Sequence, residues 1–77
     1  MAERDPRVDP RPGDVLSLRG YEWQIERLGG ESRRFPGKPG QVVLSTPGGL
    51  WRMLSYSEFL YWAAIATVVK KSEDSNV

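Results

Sequence analysis

Acid–base chemistry in this 77-residue chain would fall to its carboxylates, because the chain holds neither histidine nor cysteine. Imidazole proton transfer, thiolate nucleophiles, disulfides and thiolate zinc sites are excluded together. The carboxylates within the apolar-patterned region are Asp14, Glu22, Glu26, Glu31 and Glu58. Each has a structural reading: Asp14 opens a strand, Glu22 and Glu26 lie on a solvent face, Glu31 sits in a loop and Glu58 completes a helix cap. Glu22 and Glu26 are spaced to share a metal, but a solvated strand face explains them better. The sequence lacks the G-x-x-x-x-G-K pattern, and its longest glycine-rich stretch is broken by prolines, which have no amide to offer a phosphate. No catalytic group, metal or cofactor is expected.

Residues suited to binding are easier to find. Between positions 29 and 40, four glycines and two prolines surround Glu31, Arg33, Arg34, Phe35 and Lys38. No apolar period survives there, so a long loop is expected, and a loop of this length in a small domain is usually a binding element or a loose tip. Phe35 has two readings: a plug folded back over an open end of the domain, or an exposed anchor. Trp51, Tyr56 and Tyr61 are further candidates for exposed recognition, although a core role is the favoured reading of Trp51. Set beside Arg33 and Arg34, these aromatics would have the composition enriched at protein interfaces. The same set, with Lys38, could stack bases and hold phosphates. Net charge is +1, far from the dense basic surface of a stand-alone nucleic-acid binder.

The element that must organise these groups begins at Ser55. A serine followed three residues later by glutamate is a capping box: the Ser55 hydroxyl accepts from the Glu58 amide while the Glu58 carboxylate accepts from the Ser55 amide. Phe59, Trp62 and Ala63 then share one helix face, and Tyr61 points elsewhere. That apolar face needs a sheet. Tyr21, Trp23 and Ile25 alternate with Glu22, Gln24 and Glu26, predicting a strand over 21–28 with a bulge or an end near Arg27, where the alternation fails. Further strands are expected at 14–18, 41–46 and 50–54, joined by tight turns at Arg19-Gly20 and Pro47-Gly48-Gly49. The helix is expected over 56–64. Because Ile65, Thr67, Val68 and Val69 are β-branched, a fifth strand over 66–70 is favoured beyond it. The alternative is one helix over 56–70, supported by the alanines at 63, 64 and 66.

Residues 1–12 are charged and proline-rich without apolar periodicity and are read as a flexible or extended arm, and 71–77 as a polar, flexible tail. Residues 13–70 form one small domain, which must rely on packing for its stability. No secretory h-region and no membrane-length apolar run is seen, so a cytoplasmic protein without membrane contact is expected.

Four to five short antiparallel strands in meander order, with one short helix before the last, make this a mainly β chain similar to a small, bent, SH3-like barrel. The stretches Asp9-Pro10-Arg11-Pro12-Gly13-Asp14-Val15-Leu16, Trp23 to Leu28, and Leu54 to Ala63 also resemble a group of short uncharacterised proteins of phages and proteobacterial genomes. That resemblance covers roughly residues 10–69 and implies a fold without assigning an activity to any residue. Small SH3-like chains can build an active site by oligomerising around a pore, as type II dihydrofolate reductases do, but no matching motif is present. The expected function is a non-enzymatic protein-interaction module, phage-derived or a subunit of a larger assembly. Its expected contact residues are Arg33, Arg34, Phe35, Lys38, Trp51 and Tyr61, with no small-molecule substrate. The alternative is a single-stranded nucleic-acid-binding module using the 29–40 loop.

Overall fold

A computed structural model describes residues 4–72. It contains β1 (Val15–Leu18), β2 (Tyr21–Gly29), β3 (Gln41–Ser45), β4 (Trp51–Ser55), α1 (Tyr56–Ala63) and β5 (Thr67–Lys70). All strand pairs are antiparallel, and the order across the single sheet is β4-β3-β2-β1-β5. This is the mainly β, SH3-like arrangement expected, left open between its two edge strands, β4 and β5. Where the expected strand ends differ from those observed, they do so by one residue, apart from the chain's start and tail.

Each junction follows from local chemistry. Arg19 and Gly20 form a two-residue turn between paired Leu18 and Tyr21, with φ of 53° and 85°. Positive φ at both central positions marks the primed turn whose twist suits a hairpin. Pairing of β2 with β3 shifts register between Ile25 and Arg27. The extra residue is Glu26, and the shift turns Leu28 towards the core, where it packs against the central cluster. A bulge therefore reconciles the broken alternation with a strand that continues to Gly29.

The helix begins as its capping box requires, with Glu58 N donating to Ser55 Oγ at 3.1 Å and Ser55 N to Glu58 Oε1 at 2.9 Å. It ends at Ala63, followed by a turn in which Ala66 N donates to Ala63 O at 3.0 Å. Thr67 to Lys70 then pair with β1. β-Branched residues thus prevail over the alanines, and the long-helix alternative is not adopted. Phe59 and Ala63 are fully buried with Leu16, Ile25, Val42 and Leu44, so the helix face closes the concave side of the sheet.

The segment expected as an arm packs against the domain over its described part. Pro6 and Pro10 are fully buried, and the Tyr56 hydroxyl donates to the Val8 carbonyl. Its main anchor is Asp14, which has no solvent exposure. The carboxylate accepts from Arg4 Nη1 at 2.6 Å and Nη2 at 2.9 Å, from Arg11 N at 2.8 Å and from Ser72 N at 2.6 Å. Periodicity could not reveal this, because the ordering is carried by one buried charge and its donors rather than by an apolar stripe. The tail expected over 71–77 is described only as far as Ser72, and positions 1–3 and 73–77 lie outside the described residues.

Candidate binding groove

Between β4, the β1–β2 turn and α1 lies a groove of about 630 Å³. Three parts of the chain build it. The β1–β2 turn supplies Leu18, Arg19 and Tyr21, the inward face of β4 supplies Arg52 and Leu54, and α1 with its following turn supplies Glu58, Tyr61, Trp62 and Ile65, over a floor at Trp23. The aromatic rings form a file from rim to core. Tyr21 lies 6.3 Å from Trp23, Trp23 meets Trp62 edge-on at 6.0 Å and 86°, and Trp62 lies 6.1 Å from buried Phe59. Such contacts hold the floor in one arrangement and make the groove a preformed feature.

The groove is apolar below and charged at its edges. Tyr61 is 89% exposed and Ile65 68%, an unusual position for two large apolar side chains on adjoining turns. Arg19 and Arg52 are exposed, and among the described residues neither makes an ion pair, a hydrogen bond through its side chain or a ring contact. Glu58, the acidic residue of the lining, is already committed to the helix cap.

Of the residues expected to make contacts, Tyr61 is part of this groove and the others are elsewhere. Ser32 N donates to Lys38 O, and Phe35 N to Ser32 Oγ, folding the 29–40 loop onto itself. Phe35 is half-buried, its ring 5.2 Å from Tyr56 at 64°, and the Arg34 guanidinium lies over the same ring at 5.8 Å. The plug reading of Phe35 is the one its packing matches. Lys38 Nζ is 3.9 Å from Asp9, and Arg33 is exposed. Tyr56, a recognition candidate from the sequence, is instead buried at 3% exposure. It follows the helix cap directly and lies under both Phe35 and the Val8 carbonyl, and burial first, then the Asp9 charge, raises its phenol pKa.

Trp51 is 57% exposed, with Leu50 and Met53 beside it at 48% each. Its contact reading is thus the one compatible with its exposure, but it does not sit beside Phe35. Trp51 pairs with Ser45 at one end of β4, while Ser55, at the other end, pairs with Gln41 at the base of the 29–40 loop. Four residues of strand separate the two ends, about 13 Å. The combined aromatic–arginine patch expected from the sequence therefore divides in two.

The sequence reading missed the groove's other members. Tyr21 and Trp23 were assigned to a strand, Arg19 to a turn and Arg52 to a strand face, and only the curvature of the sheet brings them together. A signal was available in Arg19, since a turn needing positive φ at both central residues favours asparagine or glycine at that position.

Glu26 accepts from Ser45 Oγ at 2.5 Å across the β2–β3 pair. Among the described residues, no group of three or more acidic side chains is placed to hold a metal ion, and no helix is long and apolar enough to cross a membrane. Compared with known proteins, the chain matches no family model, no curated protein and no solved structure.

Proposed function

We propose that this chain is a non-enzymatic protein-interaction module whose contact face is the groove between β4, the β1–β2 turn and α1. The observation that carries the reading is the groove itself: a preformed apolar trough rimmed by exposed Tyr61, Tyr21 and Ile65. Aromatic anchors in a concave site with arginine nearby are the usual source of binding energy at protein interfaces. The poised side chains an enzyme needs have no counterpart in the lining, which offers tyrosines, arginines and a capping glutamate.

A subunit role in a larger assembly is a second form of the same reading. It is supported by the edge strand β4, whose exposed Trp51 and Met53 accompany an unpaired strand edge. The phage origin suggested by the resemblance belongs to the proposal on the quoted residues alone, and a cytoplasmic setting on the lack of cysteine. The nucleic-acid alternative at the 29–40 loop has less support, because Phe35 is engaged with Tyr56 and Lys38 lies near Asp9.

A peptide-display selection on the folded domain tests the reading. Enriched peptides should lose binding to Tyr61→Asp, a variant that leaves the fold intact because this side chain is 89% exposed. Failure to enrich any peptide, or enrichment indifferent to Tyr61→Asp, would refute it.

A further inference from the structure

Resting on the groove as the contact face, we infer that its occupant is an acidic peptide segment, with an apolar or aromatic side chain seated over Trp23 and Trp62 and carboxylates reaching Arg19 and Arg52. Charge complementarity carries the inference. The lining holds two guanidiniums with no partner among the described residues, while its one carboxylate, Glu58, is spent on the Ser55 amide. Guanidinium meets carboxylate through two parallel hydrogen bonds, the pairing that best combines orientation with strength.

Arg19 adds an independent point. At φ of 53° it occupies a left-handed conformation that asparagine or glycine adopts more readily. A guanidinium is thus held over the groove at a local conformational cost, the kind of strain that gathers at binding sites.

Single-stranded nucleic acid fits the same groove less well. Stacked bases need open ring faces, whereas Trp23 is 7% exposed and meets Trp62 edge-on at 86°. A peptide needs no open ring face, because an apolar side chain packs against the edges that Trp23 and Trp62 present.

The test is calorimetric titration of the full chain at low salt with four probes. They are a capped peptide of sequence Glu-Asp-Leu-Phe-Glu-Asp, its Gln/Asn counterpart, its Lys counterpart and an octamer of thymidylate. The acidic peptide should bind at least tenfold more tightly than its Gln/Asn counterpart. Arg19→Asn and Arg52→Gln should each weaken it about tenfold, the worth of one charge-assisted contact. Arg19→Asn suits the turn, so its urea midpoint should match or exceed that of the parent, which separates lost binding from lost folding.

Equal affinity for the acidic and Gln/Asn peptides, with both abolished by Tyr61→Asp, would overturn the acidic occupant while leaving the groove as the contact face. Binding indifferent to Tyr61→Asp would overturn both. Preference for the thymidylate octamer, or absence of binding by the acidic peptide, would also overturn the inference.

Discussion

Replacing Asp14 with alanine should cost this protein much of its stability. Its carboxylate has no solvent exposure and accepts four hydrogen bonds, two from Arg4 and one each from the amides of Arg11 and Ser72. Alanine would leave the Arg4 guanidinium, only 12% exposed, without its carboxylate and two amides without an acceptor. Breaking a buried pair from one side costs about 3–5 kcal/mol. A chain of 77 residues has roughly 4–12 kcal/mol in total at the usual 0.05–0.15 kcal/mol per residue. The expected loss is about 3 kcal/mol, at the lower end because Arg4 retains the Asp9 and Ser72 carbonyls as acceptors. Urea unfolding followed by the fluorescence of Trp23 and Trp62 measures it directly. The same site predicts a pH dependence. Burial pushes the Asp14 carboxyl up, but Arg4 and the amides of Ser72 and Arg11 more than reverse that, leaving it below its ordinary value. A carboxylate depressed by folding contributes fully above its unfolded pKa, about 3.9, and loses that contribution as pH falls through the folded value. The parent should therefore lose stability from about pH 4 downward, and the alanine variant should lack that component. A loss below about 1 kcal/mol at pH 7, or parallel acid profiles for parent and variant, would refute the account of Asp14 as the anchor of the chain's start.

Removing the helix cap with Ser55→Ala should cost about 1 kcal/mol, read as a fall in Tm of roughly 4–8 °C for a domain of this size. Arg19→Asn should act in the opposite direction, raising stability by about 0.5–1 kcal/mol in the same urea titration by relieving the left-handed arginine. Tyr56→Phe deletes the hydroxyl that holds the Val8 carbonyl. The expected global loss is about 1 kcal/mol, with faster tryptic cleavage after Arg7 as the local sign.

Much of the fold was legible because it rests on signals that sequence carries directly. Alternation at Tyr21, Trp23 and Ile25 marked β2, the Ser55–Glu58 pair marked the helix start, and the β-branched run after Ile65 marked β5. Even the break at Arg27 could be read as a bulge. Hidden from view were features made by distant residues meeting. Residues 4–12 have no periodicity, and their placement depends on a buried carboxylate whose partners lie as far along the chain as Ser72. Tyr56 resembled a surface aromatic because the residues that cover it, Phe35 and Val8, come from a loop and a segment with no pattern. The groove was hidden for a related reason: the wet rim of one strand, a turn arginine and two helix side chains become neighbours only when the sheet bends. Tyr61 was found because a helical period alone sets it apart from the Phe59 face.

The knot at Asp14 also has a geometric consequence for assembly. It draws residue 4 and residue 72 to one carboxylate. That spot lies at the start of β1, and the groove's Leu18 and Arg19 lie at its far end, about 13 Å away along the strand. A neighbour tethered at that spot would start about 13 Å from the groove's turn residues, at the opposite end of β1 from the proposed contact face. Two copies linked in tandem would present two open grooves, and the linker length between them would set the effective concentration of the second encounter. On that geometry a weak single contact becomes a strong one through repetition, with no change to any side chain in the groove.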